Sequence, residues 1–186
     1  MVAAVDLLTR LAHNARGGDS RALEVFVENS YDQVWRLCAS LVGDENADDL
    51  SQETFAQAVR ALPRFRGESS ARTWLFAIAR HICLDELRAR SRRRCREGPM
   101  SSDQGATATD PSGALPLAEL IGALDLDRRT AFVLTQVLGL SYAEAARVCA
   151  CPLGTIRSRV ARARAELVAL LKRSDQDGGH RRSSLG

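Results

Sequence analysis

Lysine is almost missing from this chain of 186 residues: Lys172 stands alone among 26 basic side chains, and the rest are arginine. A GC-rich coding sequence accounts for that bias as readily as a chemical demand does, so by itself it decides nothing. Long apolar runs are missing too. No stretch approaches the roughly 20 apolar residues that a membrane-crossing helix requires, so no spanning segment is expected. The first residues, MVAAVDLLTRLAHNARGGD, carry an acid at Asp6, no basic start and no small-residue cleavage site. A secretory leader is therefore not expected, and the chain is expected to act in the cytoplasm. The five cysteines make no disulfide framework, because the count is odd and the spacing irregular. Cys38, Cys83 and Cys149 fall among apolar neighbours, and Cys149-x-Cys151 lacks the spacing of a zinc pair. No nucleophile with its base, no phosphate loop and no metal signature stands out, so neither catalysis nor a metal or cofactor is expected. Strand-like alternation is scarce, and no internal repeat is evident.

Helical spacing dominates instead. Asp19 is placed to cap a helix with apolar positions Leu23, Phe26, Val27, Val34, Leu37, Cys38 and Leu41, with a break expected near Asn29–Tyr31. After a turn at Gly43-Asp44, a second helix starts at Asn46 or Asp48, runs through Leu50, Phe55, Ala58, Val59 and Leu62, and stops at Pro63. A loop over 64–69 leads to a long helix from about Ser70 to Arg94, which turns Leu75, Ile78, Ile82 and Leu87 inward. Residues 98–116, GPMSSDQGATATDPSGALP, are rich in Gly, Ser, Thr, Pro and Asp and read as a flexible linker. Helices resume over 117–124 and 127–138, the latter with Asp127 as its cap. From Ser174 the chain is polar and is expected to be a disordered tail. The fold class is therefore all-α: a first domain over 1–97, a linker over 98–116, a second domain over 117–173 and a tail over 174–186.

The second domain carries the most informative stretch, Leu140–Leu167, LSYAEAARVCACPLGTIRSRVARARAEL. Ser141 and Glu144 have the spacing of a capping box, and Tyr142, Ala145, Ala146 and Val148 give the helix a packed side. Pro152 suits the first turn of the next helix. From Leu153, apolar residues recur at Ile156, Val160, Ala163, Leu167, Leu170 and Leu171, while Arg157, Arg159, Arg162 and Arg164 occupy the other face. A helix, a tight turn and a basic second helix make a helix-turn-helix, whose second helix lies in the major groove of DNA. Thr155, Arg157, Ser158, Arg159 and Arg162 are placed to donate to guanine edges or phosphates. The competing reading is a plain amphipathic helix with solvated arginines.

Charge in the first domain is segregated. Asp44–Glu53 holds five acids and no base, whereas Arg88–Arg96 holds six arginines and no acid. In ADDLSQETF, Ala47–Phe55, the residues Asp48, Asp49, Gln52 and Glu53 form a polar side and Leu50 and Phe55 an apolar one. That pattern fits a well-capped surface helix, its acids favoured by the helix dipole, or a docking surface for a basic partner. Arg64–Arg94 combines arginine with Phe65, Trp74 and Phe76, as suits single-stranded nucleic acid that stacks its bases on rings. Trp74 equally suits the core, and His81 either a structural role or a pocket for an unstacked base. Two further readings share these features: a free-standing helix-turn-helix regulator, for which no dimerisation helix is evident, and a single-strand binder that uses only the arginine-rich helix.

Taken in order, ADDLSQETF, FRGESSARTWLFAIARHICLDELR and LGLSYAEAARVCACPLGTIRSRVARARAEL resemble the extracytoplasmic-function sigma factors of bacterial RNA polymerase, within them the actinobacterial sigma-C-like branch. The resemblance covers roughly residues 19–94 and 117–171. It implies two helical domains, sigma-2 and sigma-4, on a flexible linker. It implies core polymerase as partner, through the beta-prime clamp helices and the beta flap, with Asp48, Asp49, Leu50, Gln52, Glu53 and Phe55 at the docking surface. It implies promoter DNA as the second partner. The −10 element would meet Phe65, Arg66, Gly67, Glu68, Ser69, Arg72, Trp74, Arg80, His81 and Arg88, with a flipped-out base captured near the 65–71 loop and His81. The −35 element would meet Thr155, Arg157, Ser158, Arg159 and Arg162. An anti-sigma factor is a further partner the resemblance implies, and a membrane is not. Two departures stand out: His81 where the family often has asparagine, and Ala150 in place of a turn glycine, at a cost of about 1 kcal/mol if left-handed.

Overall fold

A computed structural model describes residues 6–97 and 117–183, with side chains described up to Arg173 in the last helix. Among these residues there are eight α-helices and no strand. They are α1 (Leu7–Arg16), α2 (Ser20–Val42), α3 (Ala47–Ala61), α4 (Ala71–Glu97), α5 (Leu117–Gly122), α6 (Leu126–Phe132), α7 (Tyr142–Cys149) and α8 (Leu153–Ser183). The linker expected over 98–116 lies outside the described residues.

Helix α1 was not expected from the sequence. Asp6 caps it by accepting from the Thr9 N–H at 2.9 Å, and the chain leaves it at Gly17-Gly18, where Gly18 takes a positive φ of 98°. Asp19 caps α2 as expected, accepting from the Ala22 N–H at 3.0 Å. The break expected near Asn29–Tyr31 does not occur. Ser30 Oγ donates to the Phe26 carbonyl at 2.6 Å and Asn29 Nδ2 to the Val25 carbonyl at 2.7 Å, so both polar side chains are satisfied by the preceding turn. The same device lets polar residues of α3 face inward: Ser51 and Thr54 are fully buried and donate to the Ala47 and Leu50 carbonyls, each at 2.7 Å.

The core of the first domain packs Phe26, Val34, Leu37, Cys38 and Leu41 of α2 against Phe55 and Ala58 of α3 and Leu75, Phe76, Ala79 and Cys83 of α4. Burial of each large side chain contributes about 1.5–3 kcal/mol. In the second domain, Ile156, Val160, Ala163 and Leu167 of α8 are buried as their spacing requires, but Leu171 is exposed. Asp125, not Asp127, caps α6, accepting from the Asp127 N–H at 3.1 Å. The single helix expected over 127–138 gives way at Val133 to a π-turn, Val133–Val137, closed by the Leu138 N–H on the Val133 carbonyl at 2.9 Å. Helix α8 continues to Ser183, whereas a disordered tail was expected from Ser174; no proline interrupts that stretch.

The two domains touch. Helix α7 packs on α4, and α2 meets α5 and α6. Arg72 of α4 donates to the Leu138 carbonyl, and Arg129 of α6 reaches the Leu41 carbonyl at 3.4 Å.

Candidate nucleic-acid interface

The helix-turn-helix is built as its sequence suggests. Ser141 Oγ accepts from the Glu144 N–H at 3.2 Å, and Glu144 accepts from the Ser141 N–H at 2.9 Å, closing both halves of the capping box. Ser141 donates to that carboxylate as well, which holds Glu144 below the usual carboxylate range. At the other end, Ala150 is left-handed with φ 50° and ψ 47°. The Cys151 N–H returns to the Ala146 carbonyl at 3.1 Å, so the turn ends α7 in a Schellman motif even without glycine. Pro152 then stands immediately before α8, and the Thr155 N–H bonds its carbonyl at 3.0 Å.

This turn fixes which side of α8 faces water. Arg157, Ser158 and Arg162 are exposed on one stripe with Gly154 and Ala161, while Thr155 is half-buried. Arg159 is not on that stripe. Its guanidinium is ion-paired with Asp127 of α6 and lies 3.7 Å from Cys151 Sγ, with about a quarter of its side chain exposed (23%). Arg164 is exposed and bonds Gln136 at 2.5 Å.

In the first domain, Arg64, Phe65, Arg66, Gly67, Glu68, Ser69 and Trp74 line an open cleft of about 350 Å³. Phe65 is buried as its floor, with its ring 5.0 Å from the half-buried Trp74 ring. Arg66 and Glu68 stand at the rim, 3.8 Å apart and both largely in water. Ser70 caps α4, its Oγ accepting from the Thr73 N–H at 3.2 Å. Three residues of α1, none of them singled out from the sequence, touch this loop: Thr9, His13 and Arg16.

Other expected residues sit apart from the cleft. His81 is exposed on α4, 3.3 Å from Asp85, and does not line it. Arg88 pairs with the same Asp85 at 2.9 Å. Arg72 is drawn toward the second domain: its Nε donates to Gln33 at 2.7 Å, its guanidinium lies 5.4 Å from the Phe76 ring, and it also holds the Leu138 carbonyl. Burial lowers the pKa of Arg72, although a guanidinium remains charged. Arg80 is half-buried with an Nε that has no partner.

On α3, Asp48, Asp49, Gln52 and Glu53 are exposed side by side. Leu50 is half-buried and Phe55 is buried, stacked on Tyr31 at 5.9 Å, so Phe55 supports the helix from behind and does not form its outer face. Tyr31, read in the sequence only as the edge of a helix break, joins that face by donating to Asp48 at 3.2 Å, while Arg60 covers Glu53 at 3.1 Å. Among the described residues no group of His, Cys, Asp and Glu is arranged to hold a metal ion, and no helix is long and apolar enough to cross a membrane.

Comparison with known proteins separates the same two units. Residues 26–93 match the family model of sigma-70 region 2, and residues 114–167 match that of sigma-70 region 4. The chain is 48% identical over 177 residues to a probable RNA polymerase sigma-C factor of Mycobacterium bovis, covering 93% of this chain and 96% of that one. It is 35% identical over 176 residues to the RNA polymerase sigma-H factor of Pseudomonas aeruginosa, covering 83% and 89%. Among solved structures, the sigma factor RpoE from Bartonella quintana, captured with the anti-sigma factor NepR, superposes with a TM-score of 0.71 at 31% identity, covering 80% of this chain and 96% of that one. CnrH in complex with the cytosolic domain of CnrY gives 0.69 at 28% identity, covering 90% and 98%. The chain belongs to the extracytoplasmic-function sigma factors of the sigma-70 family.

Proposed function

We propose that this chain is a promoter-specificity subunit of RNA polymerase, with no catalytic role of its own. It binds the core enzyme and directs initiation by recognising a −10 and a −35 element. The observation that carries this reading is the pairing, in one chain, of two different nucleic-acid surfaces: an exposed arginine stripe on the second helix of a helix-turn-helix, and an aromatic-floored cleft on a separate helical domain. The stripe suits the major groove of a duplex. The cleft suits a base taken out of its stack, whose capture offsets part of the cost of strand opening. Residues 1–97 and 117–173 serve as the two reading heads and 98–116 as their tether, which raises the effective concentration of one head once the other is bound.

Asp48, Asp49, Gln52 and Glu53 form the docking face toward the beta-prime clamp helices, and the second domain approaches the beta flap. Arg72 reaches DNA only when the second domain releases α4, because the Leu138 carbonyl now holds its guanidinium. An anti-sigma factor belongs to the same reading, since the Bartonella quintana relative was captured with one. The docking role is tested by binding the full chain to purified core polymerase. Asp49→Arg and Glu53→Arg reduce affinity by about tenfold or more through like-charge contact. Wild-type affinity in both variants would refute it.

A further inference from the structure

We infer that α1 is a positioning element for the cleft, with Thr9, His13 and Arg16 fixing the shape of the Phe65–Ser70 loop that receives an extruded base. The inference rests on the reading of that cleft as a −10 base pocket.

The loop has no regular hydrogen-bonded structure of its own between Phe65 and Ser70. Such segments hold a shape only when something outside them does the holding. Here one helix supplies three ties. Arg16 Nη1 donates to the Phe65 carbonyl at 2.9 Å, which fixes the start of the loop. Thr9 Oγ1 accepts from the Ala71 N–H at 2.8 Å and donates to Asp6 at 2.8 Å, which fixes its end and satisfies an N–H of the first turn of α4. His13 acts at the middle. Gly67 is left-handed with φ +73°, and a Cβ there would lie 2.9 Å from His13 Nε2 and 3.1 Å from Cε1. The imidazole therefore sits directly against the Gly67 backbone. It also stands 5.3 Å from the Phe65 ring, which is in turn 5.0 Å from Trp74, so a row of three rings runs from α1 to the cleft wall.

Thr9, His13 and Arg16 are spaced four and three residues apart, which places them on one side of α1. The helix is anchored to the domain by other residues: Ala12 is fully buried, and Leu8, Leu11 and Ala15 pack on the core. His13 and Arg16 are exposed, so removing them leaves that core intact. Their ties run to a loop whose residues line the cleft. A reading pocket discriminates between bases only if its walls are held to a fraction of an ångström, and that precision comes from supporting contacts of this kind.

The test uses the full chain bound to core polymerase and promoter fragments that are single-stranded through the −10 element, with each of the four bases at every position. His13→Ala and Arg16→Ala each lower the preference for the favoured base at the cleft position by about tenfold, for Arg16 the order of one lost hydrogen bond from a charged group. Core affinity and duplex −35 binding stay at wild-type values, Tm falls by no more than one lost partly buried hydrogen bond accounts for, and Arg16→Lys, which keeps a donor for the Phe65 carbonyl, retains most of the preference. Gly67→Ala loses preference too, and adding His13→Ala to it costs less than the two single effects combined. Unchanged preference in His13→Ala and Arg16→Ala, with preference lost in the cleft variant Phe65→Ala, overturns the positioning role and leaves the pocket standing. Unchanged preference in Phe65→Ala as well removes the pocket reading itself. Loss of preference accompanied by lower Tm and weaker core binding makes α1 a general structural brace and also overturns the inference.

Discussion

Arg159 of the second helix of the helix-turn-helix is ion-paired with Asp127 of α6, which turns it away from the exposed stripe formed by Arg157, Ser158 and Arg162. A basic residue of α8 is therefore paired inside the domain, and in the proposed function contact with DNA falls to Arg157, Ser158 and Arg162.

The arginines of α8 should separate in experiment. Arg157→Ala and Arg162→Ala each weaken binding to the −35 duplex, by about 1–3 kcal/mol if the side chain reads a base and less if it meets phosphate. Neither changes stability. Arg159→Ala does the reverse, costing about 1 kcal/mol of folding free energy through the lost partly buried pair. Denaturant midpoints and duplex affinities, measured on the same three variants, distinguish the two classes.

Ala150 is the one residue other than glycine with a positive φ among the described residues. Left-handed alanine costs about 1–2 kcal/mol, while glycine adds entropy to the unfolded chain. Ala150→Gly is therefore expected to stabilise the second domain by a net of about 0.5–1 kcal/mol, read as a higher urea midpoint at unchanged m-value. A lower midpoint would show that the turn is not strained.

Glu144 links the helix-turn-helix to pH. Its carboxylate is held below the usual range chiefly by the Ser141 hydroxyl. A lowered folded-state value means stability that is present above the unfolded pKa of about 4.3 and is lost as pH falls through the folded value. The part of the cap that the Glu144 carboxylate supplies is thus intact at pH 7 and fades as pH falls through the carboxylate range. Glu144→Gln should lower stability at pH 7 and flatten its acid dependence. An unaltered pH profile in that variant would separate the capping box from acid sensitivity.

The thiols should react in a fixed order. Cys95 is exposed, whereas Cys38, Cys83 and Cys149 are buried. Burial pushes the Cys149 thiol up to about 11, and the contact with the Cys38 thiol, followed by burial, raises Cys83, so neither supplies thiolate near neutral pH. A thiol reagent at pH 8 is expected to label Cys95 at once and Cys149 only after unfolding. Fast labelling of Cys149 in the native chain would mean that α7 leaves α4 readily.

Features governed by neighbours in sequence were legible before the structure. The Asp19 cap and the Ser141–Glu144 box depend on residues a few positions apart, and both stand as read, whereas the turn at Ala150 was expected only through the family resemblance. The exposed face of α3 followed from helical period alone, and that of α8 did so except at Arg159. Two local readings failed for local reasons. Asp125 and Asp127 are two residues apart with the same side chain, and backbone geometry selects Asp125. The polar run at Asn29–Tyr31 looked like a break but is absorbed by bonds to the preceding turn. What could not be read is tertiary. Arg159 meets a partner 32 residues away, and the ties from Arg16 and Thr9 to the cleft loop span 49 and 62 residues. Periodicity carries no information about contacts of that range.

Run-off transcription is the most direct test of the central claim. Bacterial core polymerase is assayed with and without this chain over a pool of genomic promoter fragments. The account predicts new, defined start sites that depend on the chain, whose upstream sequences align into a −10 and a −35 element, and that are lost with Arg157→Ala and Arg162→Ala combined. An active core that gains no start site from folded chain, while the chain alone binds duplex DNA tightly, would contradict the account and identify a polymerase-independent regulator.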